Sequence, residues 1–435
     1  MIMQNAKNWD RTIDQAELDF QNLKTSIHEE LVESLDLSLV GRVDSDRMRN
    51  DVRQLSNEVM RDRKLKMQAP QKERLLAELE NEVFGLGPLE AVIHDPTISD
   101  ILVNNSQEVY IERHGQLELT DIVFADDNHL MRIIQRIVAR VGRRIDEVSP
   151  MVDARLEDGS RVNAVVPPLA LGGPKLSIRR FGVEHLQIEK LIEINSIAPE
   201  MVQFLQAAVQ ARISFLISGG TGAGKTTLLN ALSASIPFDE RIITIEDSAE
   251  LLLQHPHVVG METRPPNSEG AGEISPRDMV RNSLRMRPDR ILVGEVRGGE
   301  ALDMLQAMNT GHEGSLTTIH ANDARDALAR LEMMVTMAGF DLPISVIRNY
   351  VAAGIRIVVH ASRLKGGVRK IMRVAEIVEV KDGEYVLEDI FRFEQQGLDD
   401  QGRAVGRFVT TGYQPKCISR FKDAGVELDT SIFRA

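Results

Sequence analysis

From Gln71 onward the apolar positions of this chain fall into regular patterns. Leu75, Leu76, Leu79 and Val83 form a stripe at helical spacing, which Gly85-Leu86-Gly87-Pro88 stops. Ile98 to Val103 and Val109 to Glu112 read as short strands, with His114-Gly115 as a turn signal. Asn128 to Val141 returns to the helical period through Leu130, Ile133, Ile134, Ile137, Val138 and Val141. Strands around Val162 to Val166 and Lys175 to Phe181 complete an α+β domain over 69–182. Residues 1–68 are charged and helix-prone. They carry a partial apolar stripe (Leu18, Leu31, Leu35, Leu39) and a dense charge run from Asp44 to Lys66. This segment predicts a small helical appendage, with a poorly ordered lead-in and a docking module both open as readings.

Gly182 to Ile197 reads as a hinge with one short helix, giving a linker over 183–198. Pro199 opens the next helix. Strands and helices then alternate: Ile213–Ser218, Ile242–Ile245, Val258–Met261, Ile291–Gly294, Ser315–Ile319 and Ile355–His360 are the strands. Such alternation predicts an α/β domain, 199–435, with a parallel sheet covered by helices. After His360 the period changes. Arg369 to Val380 and Glu384 to Phe393, joined by Lys381-Asp382-Gly383, predict a β-hairpin.

Composition narrows the partners. A chain of 435 residues needs two or three domains. No apolar run nears the roughly 20 residues of a membrane span. The polar start, Met1 to Arg11, holds no signal-peptide core, so a cytoplasmic location is expected. Cys417 is the only cysteine, which excludes disulfides within the chain and cysteine-rich zinc sites. The net charge of −13 and an aromatic content of 4% argue against a protein that tracks nucleic acid.

The chemistry concentrates in Ser218-Gly219-Gly220-Thr221-Gly222-Ala223-Gly224-Lys225-Thr226-Thr227. This is a phosphate-binding loop, set between a buried strand and a helix as such loops must be. Its glycines let successive N–H groups turn inward, and the following helix aims its positive end at the same point. Gly219 to Thr227 are therefore the candidate nucleotide-binding residues. Lys225 is expected to reach the β- and γ-phosphates of ATP, and the Thr226 hydroxyl to sit on Mg²⁺.

Further candidates stand at the ends of later strands. The run Arg290 to Gly294 ends in Glu295, placed to orient or deprotonate the attacking water or to hold Mg²⁺ through water. A plainer reading pairs Glu295 with Arg297. Ile242 to Ile245 ends in Glu246-Asp247, and Glu246 is the second candidate for organising Mg²⁺ and water. His320 closes another strand, with His312 just upstream of it. A histidine beside a γ-phosphate can report its presence. Arg277, Arg281 and Arg285 recur at helical spacing, as a solvated face, a subunit interface or an anion site. Arg155, Arg161, Arg179 and Arg180 form a second basic set, in the preceding domain.

Four blocks resemble the secretion ATPases of type II, type IV pilus and type IV secretion systems. They are Gly219–Thr226, Ile242–Asp247, Ile291–Glu295 and Gly311–His320. The wording Leu284 to Arg290, Gly294 to Ala301 and Thr318 to Asn322 is most similar to the CpaF/TadA branch, which drives Flp-type (tight adherence) pilus assembly. Gly412-Tyr413-Gln414-Pro415 and the stretch from Gly425 to Phe433 also look like that branch. The resemblance runs from about Leu75 to the C-terminus. It implies a RecA-like motor domain behind an α+β domain, with ATP between them. It also implies a homohexamer at the cytoplasmic face of the inner membrane, working on a membrane-embedded platform protein and meeting the membrane only indirectly. By resemblance, Arg161 and Arg179 match arginines that approach the γ-phosphate, with Arg155 assisting. Glu295, Glu246 and His320 match the family's three remaining site residues. The type II branch carries a four-cysteine zinc module, which this chain lacks. Three alternatives are a nucleic-acid-translocating motor, a type IV secretion ATPase exporting proteins, and a slow regulatory switch.

Overall fold

The computed structural model describes residues 15–34, 45–113, 115–181, 186–264, 266 and 271–434. Expectations that rest on Leu35, Leu39, His114, residues 182–185 or the side chain of Leu18 lie outside these. The chain divides into two compact units, Met1–Val183 and Glu184–Ala435.

The first unit opens with α1 (Gln15–Ser34), α2 (Ser45–Asp62) and α3 (Ala69–Phe84). These three helices pack around Ile27, Leu31, Met60, Leu75, Leu76 and Leu79. The sequence stripe on α3 is thus shared with α1 and α2. A short α4 (Glu90–Ile93) leads to β1 (Ile98–Asn105), β2 (Glu108–Arg113) and β3 (Gln116–Leu119). Then come α5 (Asp127–Arg140), β4 (Met151–Arg155), β5 (Arg161–Val165) and β6 (Lys175–Arg179). The strands form one antiparallel sheet in the order β3-β2-β1-β6-β5-β4. Alternation fixes its faces. Val152, Val162, Ala164, Leu176, Ile178 and Ile101 point inward, against the apolar face of α5. The intervening polar residues point away.

The second unit begins with α6 (Ile188–Glu193), α7 (Pro199–Gln210), β7 (Phe215–Gly219), α8 (Lys225–Ser233), β8 (Ile242–Glu246) and β9 (Val258–Glu262). Next are α9 (Pro276–Ser283), β10 (Arg290–Val293), α10 (Glu300–Asn309), β11 (Leu316–His320), α11 (Ala324–Thr336) and α12 (Ile344–Gly354). It closes with β12 (Ile357–Arg363), β13 (Arg369–Lys381), β14 (Glu384–Leu398), β15 (Ala404–Thr410) and α13 (Ser419–Asp423). The sheet order is β15-β14-β13-β12-β7-β11-β10-β8-β9. From β12 through β9 every pair is parallel. The central strands β7, β8 and β10 are buried at every position, as strands covered on both faces must be. One face packs on α7 and α8 and the other on α10, α11 and α12, through two separate apolar clusters.

The predicted hairpin exists and turns at Asp382 and Gly383, both at positive φ. It continues into β15, which the sequence pattern did not announce. The basic stripe is corrected: α9 stops at Ser283, so Arg285 is off the helix. Arg277 and Arg281 do not line a free face either. Both donate to Asp303 of α10, each at 2.8 Å.

Candidate active site

Four adjacent strands, β7, β11, β10 and β8, deliver the candidate residues at their C-terminal ends. Register places His320 beside Gly219, and Val293 beside Thr317 and Ile245. The phosphate loop leaves β7 at Gly219. A side chain there would run into the Ala361 carbonyl of β12, so only glycine lets the two strands close up. Gly224, at φ +95°, turns the chain into α8. The Lys225 ammonium is curled onto the loop, donating to the carbonyls of Gly219 at 3.0 Å and Gly220 at 3.1 Å. Thr226 and Thr227 follow, half-buried, in the first turn.

His320 links this loop to the next strand ends. Its Nε2 lies 3.4 Å from Lys225 Nζ and 2.9 Å from Glu295 Oε1. Burial and the Lys225 charge hold its pKa below the usual imidazole value, against the pull of Glu295. The second oxygen of Glu295 accepts from Arg297 at 2.7 Å, and Arg297 also donates to Asp247 at 3.0 Å. Glu295 thus pairs with Arg297 through one oxygen and meets His320 with the other.

Glu246 is corrected as a direct metal ligand. Two strands, β11 and β10, lie between its strand and that of the phosphate loop, three interstrand spacings or about 14 Å. Its Oε1 accepts from the backbone N–H groups of Glu250 and Leu251, each at 2.9 Å. It lies tight against Gly294, where a side chain would meet its Cγ at 2.9 Å. Burial raises its carboxyl to about 7. His312 is also corrected. It precedes β11 while His320 ends it, so the strand's length, about 13 Å, keeps His312 at the opposite edge of the sheet.

In the first unit the structure brings three predicted arginines into one row. Arg155, Arg161 and Arg179 face each other across β4, β5 and β6, and Asp100 of β1 ends the row. They project from the face away from α5. Like charges in register repel, which suits this face to an anion. Arg180 does not join them. It is turned back to the carbonyls of Asp95 and Ile98.

Sequence reasoning missed two groups. Buried His360 of β12 bridges the hydroxyls of Ser218, at 3.0 Å, and Ser362, at 3.1 Å, directly beneath the loop. Arg363 and Arg369, paired across β12 and β13, reach the loop itself; Arg369 donates to the Gly222 carbonyl at 2.9 Å. A histidine ending a buried strand was a readable signal. Two arginines in an exposed hairpin were not. Beside the loop lies a cavity of about 260 Å³, lined mainly by Leu191, Ile197, Thr227, Leu228, Val368 and Arg369.

Among the described residues no cluster of three or more His, Cys, Asp or Glu side chains is poised to hold a metal alone. Mg²⁺ does not need one. It binds through one or two protein oxygens together with substrate phosphates and waters, and the Thr226 hydroxyl and Glu295 are oxygens of that kind.

Residues 82–379, well over half the chain, match the family described as Type II/IV secretion system protein. This chain is a member of the type II/IV secretion ATPase family. Relatives span most of its length. A Mycobacterium tuberculosis protein named "Putative conjugal transfer protein" is 37% identical over 334 residues, covering 75% of this chain and 94% of that one. The type IV secretion system protein VirB11 of Bartonella henselae is 32% identical over 317 residues, covering 65% and 89%. Among solved structures, the VirB11 ATPase of the Brucella suis type IV secretion system, in complex with sulphate, is 32% identical. It covers 66% of this chain and 95% of its own, with a TM-score of 0.36. Members of the secretion ATPase family are ATPases, and membership supports nucleotide binding and ATPase activity here. Among the described residues no helix is long and apolar enough to cross a membrane.

Proposed function

We propose that this secretion ATPase is a Mg²⁺-dependent, homohexameric motor that powers assembly of a Flp/Tad-type pilus through an inner-membrane platform protein. The observation that carries the ATPase chemistry is the convergence of Lys225, His320 and Glu295: His320 Nε2 lies 3.4 Å from the Lys225 ammonium of the phosphate loop and 2.9 Å from the strand-end carboxylate of Glu295. With ATP bound, Lys225 exchanges its loop carbonyls for the β- and γ-phosphates. Glu295 takes a proton from the water that attacks the γ-phosphorus, while the bond to the leaving ADP oxygen breaks. Thr226 and Glu295 would hold Mg²⁺, which would supply charge neutralisation at the phosphates. By the family resemblance, Arg161 and Arg179 are assigned to the γ-phosphate, with Arg155 assisting. Glu246 supports Glu295 from behind Gly294.

The pilus assignment rests on the motif wording of the CpaF/TadA branch. Its rival, export of protein substrates by a type IV secretion system, is supported by the 32% identity to VirB11. Translocation of nucleic acid is disfavoured by the net charge of −13. Steady-state ATP turnover of Lys225→Ala and Glu295→Gln tests the enzyme: full turnover by either refutes it. Mixing Arg179→Ala with Lys225→Ala subunits tests the arginines: restored turnover contradicts action within one subunit. Electron microscopy of cells carrying only Lys225→Ala tests the pathway. Loss of thin pili supports assembly, and unaltered pili reject it.

A further inference from the structure

The loop is gripped from one side by the β12–β13 pair. His360 holds Ser218, the Ala361 carbonyl closes on Gly219, and Arg369 donates to Gly222. A side chain at Gly222 would have Arg363 Nη1 as its nearest neighbour, at 3.4 Å, and one at Gly224 would have Arg369 Cδ at 3.7 Å. Both arginines are exposed, so a ligand can reach them. Lys225 stands at the other end of the loop, toward His320.

The cavity beside the loop gives a direction. At about 260 Å³, with an apolar lining from α6, α8 and β13, it suits a flat heterocycle better than a phosphate. Arg369 is part of that lining, and so are Gly224 and Thr227 at the start of α8. A nucleotide with its base in the cavity and its terminal phosphates at Lys225 must lay its first phosphate between the two. Arg369 occupies that interval, with its Nε–H donated to the Gly222 carbonyl.

Resting on the nucleotide-site reading above, we infer that Arg369 is a nucleotide-binding residue that takes the α-phosphate, from the side of the loop opposite Lys225. A guanidinium is suited to this role. With five N–H groups in one planar fork, it can keep Nε–H on the Gly222 carbonyl while its outer edge turns to phosphate oxygens. Lys225 discriminates by the number of phosphates, whereas Arg369 acts on any nucleotide that has at least one.

The test is calorimetric titration of the full chain with AMP, ADP and a non-hydrolysable ATP analogue, with Mg²⁺ present. Arg369→Gln weakens all three by the same factor, about 10- to 100-fold for a charge-assisted hydrogen bond. Arg369→Lys, which keeps a point charge, recovers part of the loss. Lys225→Ala spares AMP and weakens the triphosphate analogue most. Unchanged affinities in Arg369→Gln overturn the inference, as does a loss confined to the triphosphate. A uniform loss that Arg369→Lys does not relieve, with the melting temperature lowered, assigns Arg369 to loop structure and also overturns it. If the unaltered protein binds none of the three, the nucleotide-site reading fails first.

Discussion

His320 Nε2 lies 2.9 Å from the Oε1 atom of Glu295, on neighbouring strand ends. The same nitrogen is 3.4 Å from Lys225 Nζ. One nitrogen cannot serve both partners at once. Protonated, it donates to Glu295; bare, it accepts from Lys225. The imidazole thus senses whether Lys225 is engaged elsewhere.

A pH dependence follows. Burial and Lys225 lower the His320 pKa, so the ring is neutral at pH 7. As pH falls below about 6.5, protonation puts a cation on Glu295 and blunts it as a base. Wild-type kcat is expected to fall in that range. His320→Gln should be slower, about 10²-fold, with a flatter profile through the same window. An identical acid limb in the variant would remove His320 from the pathway.

Glu246→Gln should stabilise the nucleotide-free protein at alkaline pH. Burial raises the folded-state carboxyl to about 7, against an ordinary value of 4.5. The folded state therefore holds this proton more tightly, and that contribution to stability is present below pH 4.5 and lost as pH rises through 7. At pH 8 the buried charge costs at most about 3 kcal/mol. Glutamine keeps the oxygen that Glu250 and Leu251 need and removes the charge. Calorimetry should show a higher melting temperature for the variant at pH 8, converging with wild type near pH 4.5. Equal melting at pH 8 would contradict the buried charge.

The strand ends explain how far the sequence could be read. β7, β8 and β10 are unbroken apolar runs, so their burial and the exit points of Glu246 and Glu295 were legible. The phosphate loop was legible because its residue types are dictated by backbone approach to an anion. Sheet order was not. Alternation says that strands are parallel, but nothing local says that two strands lie between β7 and β8. That is why Glu246 looked like a metal ligand. Arg155, Arg161 and Arg179 stood out in the sequence as a basic set, but their alignment in one row did not, since cross-strand register is a long-range property. The packing of α1 and α2 on α3 was hidden for a different reason. Their shared interface is partly polar, so it leaves no clean stripe.

His360 offers a stability test beneath the loop. Its two ring nitrogens bridge Ser218 and Ser362, and Ser218 also donates to the Val359 carbonyl at 3.3 Å. His360→Leu leaves the hydroxyl of fully buried Ser218 with that carbonyl alone. The expected cost is about 1–3 kcal/mol. His360→Gln, which keeps a donor and an acceptor, should cost less. Urea unfolding measures both, and equal losses would mean that volume rather than hydrogen bonding sets the effect.

The polar seam under α1 makes the first unit acid-sensitive in a way that one residue controls. Buried Lys24 sits 2.9 Å from Glu82 and 3.1 Å from Glu78, and His129 lies 2.9 Å from the other Glu82 oxygen. Burial raises the Glu82 pKa, but His129 and Lys24 overcome it and hold the carboxyl at about 2. Its contribution is therefore present above pH 4.5 and is lost only as pH falls toward 2. His28 acts in the same direction, but earlier in pH. Burial lowers its ring to about 4; Glu82 opposes this, and Arg136, His129 and Arg132 add to it. The unfolded chain takes up the proton near pH 6.5 and the folded one only near 4, so stability falls between those values, by at most about 3 kcal/mol. Within that window His28 acts and Glu82 does not. Amide-exchange protection of α1, corrected for the intrinsic pH effect, should therefore drop from pH 6.5 to pH 4 in wild type and stay level in His28→Leu. Protection that declines equally in both would move the acid sensitivity to another group.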